Sequence, residues 1–288
     1  MSAQAVQRSG LGIIFILMSG LLLATHDGLS KYLSQIYPIV FILWVRYWVQ
    51  TSLMVVSFAP RLGKQFIHTQ HLRWQILRGL CLIGNSVLFI SGLRYLPLAE
   101  ATGVIFLAPL MVLVISALAG ERVRPVQWVL GGVGLSGVML IVRPSGEVFN
   151  WAALFPLSAA VCFTAYQLIT RRLARTDHPA TTNFYTGLVG ALVMTACVPF
   201  FWTLPTTEHF LQMLLLGCLA MGAHFLLTKA LGHASAATLA PFTYMQIIFA
   251  GLVGFIAYGH VPDHWALAGM TLIITSGMLS AYIQRRPA

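Results

Sequence analysis

The sequence is poor in charged residues. Asp, Glu, Lys and Arg make up only 8% of its 288 residues, whereas hydrophobic residues make up 58%. Soluble domains usually contain about 25% charged residues, and the polar side chains here are too few to cover a water-facing surface of this size. The composition excludes an ordinary soluble globular protein and predicts an integral membrane protein.

Acidic residues are scarcer still, with 7 Asp and Glu against 17 Lys and Arg. In a soluble protein this imbalance would suggest a nucleic-acid partner. In a membrane protein it follows from the accumulation of Lys and Arg in cytoplasmic loops, and no soluble domain remains to carry a basic face. We therefore expect a lipid bilayer around the chain and no nucleic-acid partner.

Cysteine is also rare, and the signatures of metal and nucleotide sites are missing. The four cysteines lie in apolar segments without a Cys-x-x-Cys pair, so we interpret them as packing residues. The histidines of "HTQH" (68–71) and "HVPDH" (260–264) lack the HExxH pattern, and the chain has no GxxxxGK[ST] loop. We therefore expect no metal, no cofactor and no direct use of ATP by this chain.

Long apolar runs fill most of the sequence. A spanning helix needs about 20 apolar residues, and the run from Leu11 to Ala24 continues without a cleavage pattern, which favours a first spanning helix over a signal peptide. The sequence predicts an all-α polytopic membrane protein with ten transmembrane helices and short loops. The predicted spans are 11–33, 38–58, 73–95, 98–119, 125–143, 151–172, 181–203, 208–231, 236–258 and 264–284.

The basic residues predict the orientation, because cytoplasmic loops are enriched in Lys and Arg. With the N-terminus inside, the cytoplasmic side contains Arg8, Arg61, Lys64, Arg73, Arg122, Arg124, Arg171, Arg172, Arg175, Lys229, Arg285 and Arg286. The opposite side then contains only Lys31, Arg94 and Arg143. This distribution predicts that both termini are cytoplasmic and that the protein lies in the inner (cytoplasmic) membrane.

The two halves of the chain resemble each other. "THDGLSKYL" (25–33) aligns with "AYQLITRRL" (165–173), and Pro38 and Gly84 align with Pro179 and Gly222 at a near-constant offset. Because each half would contain five spans, an odd number, the halves would have opposite topologies. The sequence therefore predicts two inverted five-helix repeats, residues 1–147 and 148–288, an architecture typical of secondary transporters.

Four segments carry a resemblance to a known family. They are "LRYLPLAEATGVIFLAPLMVLVISALAGERV" (93–123), "WVLGGVGLSGVMLIVRP" (128–144), "KALGHASAATLAPFTYMQIIFAGLVGFIAYGHVPD" (229–263) and "LAGMTLIITSGMLSAYI" (267–283). The chain resembles the EamA-type transporters of the drug/metabolite transporter superfamily over nearly its whole length. The resemblance implies ten helices as two inverted repeats, cytoplasmic ends and transport of small organic solutes. Gly-Glu is common after both the fourth and ninth helices of the family, but this chain keeps only Glu121 and has Gly259-His260 at the second position.

Ionisable residues within the first two spans are the first candidates for a solute site. Asp27 and Lys31 are four residues apart on one helix face, and Arg46 lies about 12 Å into the second span by helical rise. Charged groups at that depth face a cavity or pair with each other. One interpretation is a hydrated cavity on the external side with Glu100 and Arg94 near its mouth; the other is that Asp27 neutralises Lys31 or Arg46 and locks the two helices. An excess of cations would favour a solute with a carboxylate or phosphate.

Further candidates lie in other spans. Asn85 aligns with the region of His224, which would bind solute, carry a proton or serve as a hydrogen-bonded core histidine. Pro109 and Pro241 would either free backbone carbonyls towards a cavity or merely bend their helices, and aromatic residues would suit a flat solute or pack against lipid. The predicted solute-binding residues are Asp27, Lys31, Trp44, Arg46, Asn85, Glu100, Tyr166, Gln167, His224, Tyr244 and Gln246.

Small residues line the fifth and tenth spans. They are Gly131, Gly132, Gly134 and Gly137, and Gly269, Ser276, Gly277 and Ser280. Small residues allow helices to approach closely, so these residues predict either a contact within one half or a homodimer seam.

The function that these patterns predict is secondary transport of a small organic metabolite by alternating access, proton-coupled or by exchange. The solute would be an amino acid, a vitamin or a nucleoside-like cofactor of the riboflavin or S-adenosylmethionine type. The alternatives are an intramembrane enzyme, for which no spaced nucleophile–base or metal set is present, and a non-transporting membrane assembly subunit. We expect the chain not to be an enzyme.

Overall fold

The computed structural model describes residues 3–118, 120, 125–142, 151–173, 176–233, 239 and 242–284. Every regular element in these ranges is helical, which confirms the all-α prediction. The α-helices are α1 (Ala3–Ile36), α2 (Ile39–Leu62), α3 (Leu72–Leu93), α4 (Leu98–Ile105), α5 (Ala108–Leu118), α6 (Pro125–Val142), α7 (Leu154–Leu173), α8 (Pro179–Cys197), α9 (Thr207–His233), α10 (Met245–Tyr258) and α11 (His264–Gln284). Short 3₁₀ turns span Gly63–Phe66, Trp151–Ala153 and Val198–Phe201.

Six of the described helical segments are long and apolar enough to cross a membrane. They are Gly10–Ile36, Ile39–Phe66, Leu72–Leu93, Trp151–Thr170, Pro179–Phe201 and Thr207–Leu227. The chain is therefore a polytopic membrane protein. Shorter apolar helices occupy Leu98–Val112, Pro125–Ile141 and Met245–Tyr258, and the total of ten spans stays a prediction.

Prolines mark several helix boundaries. Pro38 caps the N-terminus of α2 and Pro179 is the first residue of α8, positions where the missing amide hydrogen costs no helical hydrogen bond. The predicted span 98–119 is divided into α4 and α5. Pro109 has no amide hydrogen to donate to the carbonyl of Ile105, the residue at which α4 ends. Pro241, the other proline singled out in the sequence, lies outside the described residues.

The most extensive contacts between helices occur in equivalent pairs: where a helix of the first half contacts a helix of the second, the corresponding helices of the two halves make the corresponding contact. α1 packs along α9 as α3 packs along α7, and α2 contacts α9 as α3 contacts α8. α1 also contacts α10, as α4 and α5 contact α7. The remaining extensive pairs, α2–α8, α4–α10 and α6–α11, each join a helix to its own counterpart.

The stripes of small residues on α6 and α11 contact each other. A Cβ atom built on Gly137 would lie 2.6 Å from the carbonyl oxygen of Gly269 and 3.0 Å from Ile273. A Cβ atom on Gly269 would in turn meet the carbonyl oxygen of Gly137 at 2.5 Å. The stripes therefore join helices of opposite halves, which neither sequence-based alternative described; a homodimer stays a prediction.

We expect Gly137→Ala to destabilise the protein, because the added methyl group meets backbone that cannot rotate away. Overpacking of this kind costs about 1–3 kcal/mol. The matched control is Gly132→Ala on the same helix, where a Cβ atom would meet nothing within 4 Å and alanine is the better helix former. Thermal unfolding in detergent should show a lower midpoint for Gly137→Ala only; equal midpoints for the two variants would contradict the close contact.

Candidate functional site

Two arginines lie buried inside the helix bundle. Arg46 on α2 has 7% of its surface exposed, and Arg78 on α3 has 2%. Charged side chains inside a membrane protein are costly and usually face the interior of the bundle or a water-filled cavity. The hydrogen bonds of these two arginines differ, and that difference defines the site.

Arg78 is fully engaged by side chains of the second half. Its Nε donates to Thr170 Oγ1 at 2.6 Å, and one Nη atom donates to the Thr182 carbonyl at 2.9 Å and to the Thr186 hydroxyl. The other Nη donates to the Tyr166 hydroxyl at 2.6 Å, and the guanidinium lies 4.3 Å from the centre of that ring. Arg78 thus ties α3 to α7 and α8, and it explains the position of the predicted site residue Tyr166.

Arg46 has far fewer partners. One Nη donates to Ser86 Oγ at 3.4 Å, and the guanidinium lies 5.2 Å from the centre of the Tyr47 ring. Its Nε is buried and has no hydrogen-bond partner. Among the described residues, no carboxylate lies within ion-pair distance of Arg46.

Asp27 pairs with neither of the cations that the sequence suggested. Its carboxylate lies 2.9 Å from Nδ1 of the adjacent His26. Because a carboxylate only accepts, His26 Nδ1 carries the hydrogen, and Nε2 is the acceptor of the neutral ring. This Nε2 is also buried without a partner.

Unpartnered polar atoms are concentrated on α1, α2 and α3. Besides Arg46 Nε and His26 Nε2, they include the side-chain oxygens of Gln50 and Asn85. Gln50 lies one helical turn after Arg46, and Asn85 precedes the Ser86 that accepts from Arg46. Buried polar atoms nearly always have a protein or water partner, so this group can bind a molecule that enters the bundle.

His224 on α9 brings the second half of the chain to this group. Helix α9, which carries His224, packs along α1 and contacts α2, the helices of His26 and Arg46. On α1, Ser19 donates to the carbonyl of Ala223 at 2.8 Å, which fixes α9 against α1 beside His224. We name His26, Arg46, Gln50, Asn85, Ser86 and His224 the central polar cluster.

Lys31 lies at the end of the bundle rather than in this cluster. Its Nζ donates to the Leu93 carbonyl and, at 2.6 Å, to the Leu96 carbonyl. The last carbonyls of a helix have no partner within the helix, so Lys31 caps the C-terminal end of α3. Nearby, Tyr258 donates to the Gly28 carbonyl at 2.6 Å, and Glu100 lies 3.6 Å from Nε2 of His260.

The other predicted residues have varied surroundings. Trp44 donates to Thr195 Oγ1 at 3.0 Å, and the Tyr244 ring packs 5.2 Å from that of Phe106. Gln167 follows Tyr166 on α7, and Gln246 lies on α10; both are half-buried. Of the predicted residues, Arg46 donates to the neighbour of Asn85, and His224 lies on α9, which packs against the helix of Arg46, while Asp27 acts on His26. His26, Gln50 and Arg78 were not among the predicted site residues, although an arginine inside an apolar run was a visible signal for Arg78.

Polar contacts close opposite ends of the bundle. At one end, the hydroxyl oxygen of Tyr37, in the α1–α2 loop, lies 2.9 Å from Nδ1 of His209 at the start of α9. At the other, Asp177 of the α7–α8 loop accepts from Gln75 Nε2 of α3 at 2.7 Å and from Thr69. The contact of Tyr37 with His209 and the contacts of Asp177 are equivalent in the two halves. Each joins the loop between the first two helices of one half to the start of the third helix of the other half.

Asp177 gives the second of these contacts a pH dependence. Burial raises the pKa of its carboxyl, but hydrogen bonds from Thr69, Gln75, Thr176 and the Gln70 amide outweigh burial and hold the pKa below its ordinary value. The folded state is therefore stabilised above the unfolded pKa of about 3.9, and this stabilisation is lost as the pH falls through the folded pKa.

We expect Asp177→Asn to lower the thermal midpoint at pH 7 and to have little effect below the folded-state pKa, where the wild-type carboxyl is protonated as well. Hydrogen bonds to a charged acceptor contribute about 1.5–3 kcal/mol each, so the loss at neutral pH should be measurable. Unfolding midpoints of wild type and variant, measured at pH 7 and over a series of decreasing pH values until their difference no longer changes, test this. A difference that stays constant with pH would contradict the assignment.

A helical membrane bundle with unpartnered polar groups at its centre has the features of a solute transporter. Residues 10–143 and 150–282 each match the EamA-like transporter family. The chain therefore belongs to the EamA-like transporter family, as its sequence motifs suggested.

Curated relatives of similar length have named solutes. An S-adenosylmethionine uptake transporter of Rickettsia bellii is 25% identical, over 98% of this chain and 97% of the relative. A riboflavin transporter of Rhizobium johnstonii is 26% identical, over 94% and 91%. A pseudopaline exporter of Pseudomonas aeruginosa is 27% identical, over 92% and 94%. The relatives thus include both uptake and export proteins.

A solved crystal structure of another protein matches the whole fold. Its TM-score is 0.67 with 22% sequence identity, and the match covers 100% of both chains. At this identity the likeness concerns the fold alone. It shows that the helical arrangement described here occurs in an experimentally determined structure.

Proposed function

We propose that this protein is a secondary transporter that moves a small organic metabolite across the cytoplasmic membrane by alternating access. The observation that carries the proposal is the central polar cluster, in which four buried atoms, His26 Nε2, Arg46 Nε, Gln50 Oε1 and Asn85 Oδ1, lack hydrogen-bond partners within the described chain. A membrane protein gains nothing in stability from such atoms. They are accounted for if a passing solute supplies the missing hydrogen bonds.

The proposed transport unit consists of two inverted five-helix halves, residues 1–147 and 148–288, with both termini in the cytoplasm. Three observations support the halves. The helix contacts keep their pattern when the halves are exchanged, the family matches the chain as two successive segments, and Pro38 and Pro179 begin corresponding helices. The excess of Lys and Arg in the loops assigned to the cytoplasm supports the orientation.

Within this unit, the halves meet around the central polar cluster, and the contacts of Tyr37 and Asp177 close its two ends. Rocking of one half against the other would break these end contacts in turn. Lys31 and Glu100 belong to one of the ends in this proposal, and they hold helix termini instead of solute. His26, Asp27 and His224 are the protonatable groups near the site, so coupling to protons would act through them.

Reconstitution into liposomes tests the proposed function directly. Purified protein is incorporated into vesicles loaded with unlabelled S-adenosylmethionine or riboflavin, and entry of the labelled compound is followed. We expect exchange to need the protein and the recovered compound to be chemically unchanged. Recovery of a modified compound would favour an intramembrane enzyme, and binding without any exchange would favour a non-transporting subunit.

A further inference from the structure

The two buried arginines differ in how many of their donors are used. A guanidinium has five N–H donors. Those of Arg78 meet acceptors on Tyr166, Thr170, Thr182, Asn183 and Thr186. In the part of the chain that the structure describes, Arg46 has only the long bond to Ser86, and its Nε has no acceptor. Arg46 therefore keeps donors available in a buried position, and Arg78 does not.

The charge around Arg46 is also unbalanced. Arg78 adds a second buried positive charge, and its acceptors are neutral oxygens. The carboxylate of Asp27 is bonded to His26, and no described carboxylate lies within ion-pair distance of either arginine. An uncompensated buried charge is costly, so a negatively charged group that reached Arg46 would be bound strongly.

Other cations of the first half cannot take this role. Lys31 is bonded to two backbone carbonyls at the end of α3. Arg94 donates to the Tyr37 carbonyl at 3.1 Å, near the start of α2. The Nε atom of Arg94 is also buried without a partner, but Lys31 and Arg94 both hold helix ends, whereas Arg46 belongs to the central polar cluster.

Several residues of the central polar cluster carry acceptor atoms without partners. The unpartnered oxygens of Gln50 and Asn85 and the Nε2 atom of neutral His26 all accept hydrogen bonds. A solute that satisfies the site therefore has an anionic group for Arg46 and N–H or O–H donors for the acceptors. We propose that Arg46 is the anion-binding residue of the solute site and that the transported solute carries a carboxylate or a phosphate. This inference rests on the transport function proposed above.

Two pairs of probes that differ in one anionic group test the inference. The first pair is S-adenosylmethionine and its decarboxylated form, and the second is riboflavin 5′-phosphate and riboflavin. Binding is measured by thermal shift in detergent, since a bound solute raises the unfolding midpoint, and exchange is measured in liposomes. We expect wild type to prefer the anionic member of at least one pair by 10-fold or more, about the discrimination that one charged hydrogen bond provides. Preference in the first pair alone indicates a carboxylate, and preference in the second alone indicates a phosphate.

Arg46→Gln should reduce this preference to about one without lowering the stability of the solute-free protein, because Arg46 makes only one long hydrogen bond. Arg46→Lys retains the charge and should retain part of the preference. Arg94→Gln is the matched control, which removes a positive charge from the same half and should keep the preference.

The outcomes separate this inference from the transport proposal. Exchange by wild type with equal preference within both pairs, or a preference that survives in Arg46→Gln, would overturn the anion assignment and leave transport standing. Selective binding of the anionic probes without exchange would support the assignment and contradict transport. Failure of all four probes to bind or exchange would overturn the solute class together with the function on which it rests.

Discussion

Arg78→Leu is expected to give a protein that unfolds in detergent at a temperature lower than wild type by on the order of 10 °C. Leucine fits a buried position but leaves the Thr182 carbonyl and the hydroxyls of Tyr166, Thr170 and Thr186 without the donors that Arg78 provides. Each buried acceptor that is left without its donor costs about 1–3 kcal/mol, and here several acceptors lose their donor together. The loss should be larger than that of any other single substitution proposed here, because Arg78 joins α3 of the first half to α7 and α8 of the second.

Two variants accompany this experiment. Arg78→Lys keeps the positive charge but replaces the planar fork by one nitrogen with three donors, so its midpoint should lie between those of Arg78→Leu and wild type. Arg73→Leu removes an exposed arginine from the same helix and should leave the midpoint nearly unchanged. An Arg78→Leu midpoint no lower than that of Arg73→Leu would show that the network does not stabilise the junction between the halves.

The helices could be predicted from the sequence because hydropathy and proline act locally. Apolar runs of sufficient length give helices wherever they occur, and Pro38 and Pro179 begin helices where the sequence placed them. The division of the fourth span into α4 and α5 follows from the missing amide hydrogen of Pro109, although a bend and a break give the same local signal. The contact of α6 with α11 was harder to predict from the sequence, because small residues indicate that a helix approaches another closely but do not identify the partner helix.

The candidate site could be predicted only in part, because the residues that contact each other in it lie far apart in the sequence. Arg46 was identifiable as a charge inside an apolar run. The spacing of Asp27 and Lys31 suggested a pair, yet Lys31 bonds carbonyls more than sixty residues away, since the open end of α3 offers acceptors that no sequence spacing shows. Likewise, the difference between Arg46 and Arg78 depends on which threonines α7 and α8 bring to α3, and that depends on the packed structure.

Asp27→Ala is expected to reduce solute exchange by about 10- to 100-fold, the factor that corresponds to one charged hydrogen bond of about 1.5–3 kcal/mol. The Asp27 carboxylate holds the hydrogen of His26 on Nδ1 and so leaves Nε2 as a buried acceptor without a partner. Without the carboxylate, the imidazole ring can turn or carry its hydrogen on the other nitrogen. Exchange in liposomes measures the loss, and Glu208→Ala, which removes an exposed carboxylate at the start of α9, is the matched control.

Asp27→Asn separates the two roles that Asp27 can have. The amide oxygen still accepts from His26 Nδ1, so exchange should return towards the wild-type rate if Asp27 only orients the ring. If the carboxylate takes part in proton coupling, Asp27→Asn should stay as slow as Asp27→Ala and lose the dependence of exchange on a pH gradient, because an amide does not titrate. Wild-type rates in both Asp27 variants, with normal amounts of inserted protein, would show that the His26–Asp27 pair lies outside the solute path.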